Sequence, residues 1–455
     1  MMLLSFAARN HRSLRERVEL DLTRPTLTRL QPPRGESWSD HVFPVAGIFG
    51  ANASGKSAVI DALDYAQSAL RLSSTSWQAQ PRMPRAPFAL DPACLTETSS
   101  YEFAVALDDV THGPTRFDYA FEISDRGVER ETLYALYATR RERLFKRDMV
   151  EGAVKVSLPR GFPAAAALRA ITRRELLLSR AVLMEHAVLA PIGRALLEDL
   201  DVIRVGDHDR ERRLRGLIDA LASGEVDFDG IATMLRIADI GIDSVTLREE
   251  EMPPELQRIR DEIFALARRR AHELTTDPDA PRIVVAPEAA DSMVRTLDFR
   301  HHCAPGVPGR TLTVDEESTG TVAWLALTSA ALDMLRAGGV LVVDELDAAL
   351  HPYLVDVLVG MFEDRASNPG GAQLVFTGHG THVLSPLSSA RLAPAQVWLT
   401  EKTLDGVTEL FSVSDFPNRA DDNIEKRYLD GRYGGVPSPA RSLVHTLLDS
   451  PAGVS

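Results

Sequence analysis

The chain has 455 residues, 44% hydrophobic and 25% charged, with a formal net charge of −14. These values suit a soluble globular protein of two or three lobes. They argue against a broad basic surface built for nucleic acid, though not against a local basic groove. No window approaches about 18 consecutive apolar residues, which speaks against a spanning helix. The first residues are apolar and the charges follow, the reverse of a secretory signal, so they are expected to be a strand of the mature protein. The two cysteines, Cys94 and Cys303, support neither a disulfide framework nor a zinc cluster. The expectation is a reduced, cytoplasmic protein with no membrane partner.

Residues 1–60 read as strand, loop, strand, glycine-rich loop, helix. The run from Phe43 to Phe49 is apolar, and Ala58 to Leu70 carries apolar residues at helical spacing. Residues 71–92 read as a loop. Three alternating segments then follow from Tyr101, Thr115 and Val128, with a turn at Asp125-Arg126-Gly127, and predict an antiparallel sheet. Residues 163–222 and 249–274 have mostly helical periodicity, without heptads enough for an extended coiled coil. Strands return at GVLVVDELD, AQLVFTGHG, AQVWLTEK and VTELFSV, and the tail after about residue 414 is polar and rich in Gly and Pro. The expected fold is α/β, with a mixed, largely parallel core sheet, an antiparallel β lobe and an inserted helical lobe. The segments are 1–150, 151–300 (mainly helical) and 301–455.

The pattern G-x-x-x-x-G-K-[ST] is met by Gly50-Ala51-Asn52-Ala53-Ser54-Gly55-Lys56-Ser57, after an apolar strand and before a helix. Glycines let backbone N–H groups of Gly50, Asn52, Ala53, Ser54 and Gly55 curl around phosphate oxygens. Lys56 would reach the β and γ phosphates of ATP, and the Ser57 hydroxyl would ligate Mg²⁺. The second half of the site is Leu341-Val342-Val343-Asp344-Glu345. A buried strand delivers Asp344 to its carboxyl end as a Mg²⁺ ligand, and Glu345 is the expected general base for the attacking water.

With these motifs in place, the block Asp344 to Pro352 (DELDAALHP) resembles the Walker B and D-loop of ABC-type ATPases. It is closest to the compact ATPases of bacterial anti-phage and abortive-infection systems, relatives of SMC-like repair ATPases and OLD nucleases. Asn10-His11-Arg12-Ser13-Leu14, Pro87-Phe88-Ala89-Leu90-Asp91, Glu317-Ser318-Thr319-Gly320-Thr321 and the block from Asp422 to Gly434 resemble further elements of that family. The resemblance implies that Ser318 and Gly320 open a helix aimed at the γ-phosphate held by a second subunit. The site would then be complete only in a homodimer with two ATPs sandwiched between the heads. It implies His379 as the γ-phosphate-sensing switch, Asp347 as a D-loop residue at the dimer seam, and Arg12 as a nucleotide contact. Two features depart from the pattern. The histidine sits in TGHGT where the family carries T-T-H-D-T, which leaves two glycines to loosen the loop. Neither Gln78 nor Gln80 is a diagnostic Q-loop glutamine.

Plainer readings stand beside these. His379 could be structural, Ser318 a simple N-cap, and the arginines at 204, 210, 212, 213, 215 and 268–270 solvated helix faces rather than a nucleic-acid contact. His301-His302 beside Cys303 lacks the spaced ligands of a metal site. Asp421, Asp422 and Glu425 fit capping as well as an acidic site. Two functions remain. One is an ATPase sensor or scaffold of anti-phage defence, answering a phage-derived trigger and controlling a separate effector, expected to be a nuclease. The alternative is a DNA-repair or OLD-type ATPase acting directly on DNA. An OLD-type nuclease needs a TOPRIM domain on the order of 100 residues with a Glu and a DxD motif, and the segment after His379 is expected to be too short for one.

Overall fold

The computed structural model describes residues 1–27, 29–33, 35–109, 113–137, 140–204, 206–238, 241–275, 293–302, 310–417, 419 and 422–436. Cys303 and Asp421 lie outside the described residues, as do the side chains of Arg268, Arg269 and Arg270. The order begins β1 (Met2–Arg9), β2 (Val18–Asp21), α1 (Trp38–His41), β3 (Val45–Gly50), α2 (Lys56–Leu72) and α3 (Pro92–Thr96). Five strands follow: β4 (Ser99–Asp109), β5 (Gly113–Ser124), β6 (Gly127–Tyr137), β7 (Arg140–Val150) and β8 (Ala153–Ser157). The middle holds α4 (Ala165–Arg169), α5 (Leu177–Leu183), α6 (Ala190–Glu198), β9 (Leu200–Arg204), α7 (Asp207–Ser223), α8 (Phe228–Ile237), β10 (Ile242–Glu251) and α9 (Pro254–Thr275). The last part holds β11 (Met293–His301), β12 (Thr311–Thr313), α10 (Thr319–Ala337), β13 (Val340–Asp344), α11 (Pro352–Glu363), β14 (Gln373–Thr377), β15 (Val397–Lys402), β16 (Thr408–Ser412) and α12 (Ile424–Leu429).

The nucleotide-side sheet runs β16-β15-β3-β14-β13-β9, parallel except for β16 at one edge. Its central strands are continuous apolar runs because helices cover both faces: Val340 to Val343 are fully buried. The second sheet, β2-β1-β4-β5-β6-β7-β8, is antiparallel throughout. Strand β5 alternates buried and half-buried positions, as a sheet with one face on a core should. Helix α2 packs against strands of both sheets, β1 and β4 in one, β3 and β13 in the other, and its apolar side joins a core shared with them. A third sheet, β10-β11-β12, and helices α7 and α8 form a separate core with Val322 and Leu325 of α10. There the Trp324 indole donates to the Met234 carbonyl at 2.8 Å.

Several sequence expectations change. The antiparallel sheet has seven strands, not three, and takes in the early strands β1 and β2. The middle segment is not all helix: β8, β9, β10 and β11 lie in it, and β9 is an edge of the core sheet, paired in parallel with β13 from Leu200↔Val340 to Arg204↔Asp344. Five residues with an Asp and an Arg among them leave no periodicity to read, and backbone pairing decides the outcome. The polar tail contains α12, capped by the Asn423 side chain accepting from Lys426 N–H.

Candidate nucleotide site

Strand β3 is buried at all six positions and stands Phe49 edge-on to Phe376 at 5.8 Å. It delivers the chain into a loop whose shape depends on glycine at two points. Gly50 has φ +152° and Gly55 φ +109°. A Cβ at Gly50 would lie 2.5 Å from Thr400 Oγ1, and one at Gly55 2.0 Å from Thr408 Oγ1. Thr400 lies on β15, beside β3, and Thr408 on β16, one strand further out, and both hold the loop from outside. Ser54 Oγ meets Thr400 Oγ1 at 2.6 Å, and Thr408 Oγ1 donates to the Ser54 carbonyl at 2.9 Å and meets Ser13 Oγ at 2.8 Å. Asn52 and Ala53 are exposed at the loop tip, with Ala53 also left-handed at φ +62°. Turns of that kind present successive N–H groups to one anion.

Lys56, only 5% exposed, is the first residue of α2. Its ammonium donates to the carbonyls of Gly50 (2.9 Å) and Ala51 (3.0 Å) and lies 3.4 Å from His379 Nδ1. Burial pulls its pKa below the ordinary lysine value, while the carboxylates of Glu345, Asp347 and Asp344 pull the other way.

The carboxyl ends of β13 and β14 supply the acids and the histidine. Thr377, the last residue of β14, ties them together: its hydroxyl donates to Asp344 Oδ1 at 2.6 Å and accepts from Glu345 N–H at 2.7 Å. Ser57 Oγ donates to the same Asp344 oxygen at 3.1 Å. Glu345 takes φ +56°, a rare conformation for a residue with a side chain. His379 Nε2 lies 3.9 Å from Glu345 Oε1. An ammonium only donates, so His379 Nδ1 is the accepting nitrogen and the ring proton sits on Nε2, facing Glu345. A hydroxyl and a carboxylate converging at Ser57 and Asp344 form a hard-oxygen pair that fits Mg²⁺. The glycine-shaped loop with a buried ammonium fits a polyphosphate.

Arg12 does not reach this cluster directly. Its guanidinium is bound to Asp61 of α2, which also takes His11 Nε2 at 2.8 Å and Arg204 Nη2 at 2.5 Å. Burial alone would raise the Asp61 carboxyl. The hydrogen bonds from His11 and Arg12 and the charge of Arg204 outweigh it and hold that carboxyl far below the usual range. A depressed folded pKa contributes stability above the unfolded value and loses it progressively below about pH 4. Asp61→Asn should therefore cost about 2 kcal/mol at pH 7. Urea midpoints at pH 7 and pH 3 check this, with the gap between wild type and variant narrowing at pH 3.

Ser318 caps α10, accepting from Thr321 N–H at 3.1 Å, and a Cβ at Gly320 would meet the Ala349 carbonyl at 3.3 Å. Neither has a described contact with its own chain's Gly50–Ser57 loop. Gln78 is tied to the Ser73 carbonyl and the Thr172 hydroxyl, and so is not a free Q-loop side chain. The arginine run is not one helix face. Arg204 ends β9 and pairs with Asp61 and Asp64, Arg213 grips Asp201 with two bonds of 2.7 and 2.8 Å, and Arg212 and Arg215 lie on Asp209 and Glu211. His301 and His302 are paired with Glu317 and Asp243, and among the described residues no group of metal ligands forms. The C-terminal segment reaches both loops of the site. A Cβ at Gly435 would lie 3.9 Å from Gly50 Cα, and Glu425 accepts from the Thr381 hydroxyl at 2.8 Å.

The site thus gathers Gly50, Asn52, Ala53, Ser54, Gly55, Lys56, Ser57, Asp344, Glu345 and His379, and leaves Arg12, Ser318 and Gly320 apart. Thr377, Thr400 and Thr408 went unremarked in the sequence, because threonine in a strand carries no distinguishing pattern. Among the described residues no helix is long and apolar enough to cross a membrane. A search of curated proteins gave no match. A family model described as "AAA domain, putative AbiEii toxin, Type IV TA system" matches residues 45–385, three quarters of the chain, from the start of β3 to just past the His379 loop. The chain belongs to that family of AAA domains.

Proposed function

We propose that the protein binds and hydrolyses ATP as an ABC-type ATPase head that works as an ATP-sandwich dimer in the cytoplasm. In this proposal it senses a phage-derived trigger and controls a separate effector, a nuclease encoded nearby. The observation that carries the ATPase part is the convergence of Lys56, Ser57, Asp344, Glu345 and His379, from three distant stretches of chain, on the carboxyl ends of β3, β13 and β14.

The Gly50–Ser57 loop and Lys56 would hold the triphosphate, and Ser57 with Asp344 would hold Mg²⁺. Bound Mg·ATP supplies the phosphoanhydride to be cleaved and draws charge from its γ-phosphate. Glu345 accepts the proton of the attacking water, and Thr377 fixes the backbone from which it does so. The His379 Nε2–H donates into the space beside Glu345, where negative charge grows. The α10 N-terminus, capped by Ser318, has no described contact with its own phosphate loop. The resemblance of Glu317–Thr321 to the family's signature, at a helix N-terminus, supports giving Ser318 and Gly320 to the phosphate held by the second subunit. The family's description supports a place in abortive-infection or toxin–antitoxin systems.

A plaque assay tests the defence role. Cells carrying this gene and its neighbour should resist phage, and lose resistance with Lys56→Ala. Equal protection without the neighbour would rule out a separate effector. Cleavage of DNA by the purified chain would favour direct action on DNA instead.

A further inference from the structure

We propose that Asp347 is the positioning residue for His379: it holds the histidine's backbone and thereby sets the imidazole between Lys56 and Glu345. This rests on the ATPase reading above and deepens it. Asp347 Oδ2 accepts two consecutive backbone N–H groups, from His379 at 2.8 Å and from Gly380. Asp347 lies two residues beyond Glu345 on the same turn, so the general base and the clasp on the histidine move together. Leu346 N–H, between them, donates to the Thr377 carbonyl at 2.9 Å, which ties that turn to β14.

Of the two glycines of TGHGT, Gly380 is the one that makes room for the clasp. A Cβ at Gly380 would stand 3.0 Å from Asp347 Oδ2, and one at Gly378 3.5 Å from Oδ1. An acid at position 380 would set a second carboxylate against the first. The loop is held further along by the Thr381 hydroxyl on Glu425. Charge-assisted bonds to backbone N–H groups are short and strong, and two on one oxygen fix both position and direction. Asp347 Oδ1 is buried with no hydrogen-bond partner among the described residues, so one oxygen carries the whole clasp.

Two measurements on the full-length protein test the role. The first is hydrogen exchange of the peptide spanning Thr377–Leu384. The His379 and Gly380 amides should exchange slowly in wild type, about 100-fold faster in Asp347→Ala, and at an intermediate rate in Asp347→Asn, which keeps one acceptor. The second is steady-state hydrolysis. Asp347→Ala should lower kcat at least about tenfold while KM for ATP stays within about threefold. In a His379→Ala background it should cause no further loss, because a residue acting through His379 has nothing left to position. Equal exchange in wild type and Asp347→Ala, an unchanged kcat, or additive losses in the double variant would each overturn the assignment. Failure of the underlying site looks different: Glu345→Gln would then hydrolyse ATP at the wild-type rate, whatever the exchange data show.

Discussion

Lys56→Ala should abolish ATP binding at concentrations that saturate the wild type, a loss of at least about 100-fold, or roughly 3 kcal/mol. The ammonium is buried and held by two carbonyls of its own loop, so it is aimed before any phosphate arrives. Three carboxylates around it favour its charge, and burial opposes them. A polyphosphate would replace carbonyl partners with anionic oxygens, a stronger interaction for the same donor. Lys56→Arg should not restore affinity, because a planar guanidinium cannot enter a pocket shaped for a point charge. Calorimetric titration with ATP and Mg²⁺ measures both variants, and a melting temperature without nucleotide shows whether either has lost its fold. A folded Lys56→Ala protein that binds ATP as wild type does would refute the phosphate role.

Glu345→Gln should separate binding from chemistry. The amide keeps the size of the side chain and the left-handed turn, but it cannot take a proton from water. Hydrolysis should fall by about 10²- to 10³-fold, the usual worth of a positioned base. ATP affinity should remain, because the contacts of Lys56, Ser57 and Asp344 do not pass through this carboxylate. Unable to discharge its nucleotide, the variant should accumulate as a dimer with ATP and revert to monomer when ATP is removed. Light scattering coupled to gel filtration, with and without ATP, reads that outcome. A dimer that forms equally without nucleotide would sink the sandwich arrangement while leaving the hydrolytic assignment untouched.

The parts of this site that could be read from sequence are those whose chemistry demands particular residues at fixed spacing. The glycines, Lys56 and Ser57 lie within eight consecutive positions, and Asp344-Glu345 follows an unbroken apolar strand. The parts that could not be read are set by folding distant segments together. Thr377 acts on Asp344 and Glu345 from 33 and 32 residues away in the chain. Thr400 and Thr408 brace a loop some 350 residues earlier. The arginines near position 210 read as solvated helix faces, because sequence shows charges without their distant partners. Asp61 and Asp64 of α2 pair with Arg204, and Asp201 of β9 pairs with Arg213. Arg12, expected as a nucleotide contact, has its guanidinium on Asp61.

The order of strands in the nucleotide-side sheet has a consequence for how the protein is made. Strand β3, which carries the phosphate loop, is flanked by β14 and β15, and both are translated more than 300 residues after it. At ordinary elongation rates that interval lasts on the order of half a minute. Through that time β3 has neither neighbour, and the loop lacks Thr400, Thr408 and both acids. A nascent chain on the ribosome can therefore display a glycine-rich loop but has no site to close around a nucleotide. ATP competence arrives late and all at once, with the segment that also brings the histidine. Products of interrupted translation that end before β13 would carry the loop without the acids that complete its site.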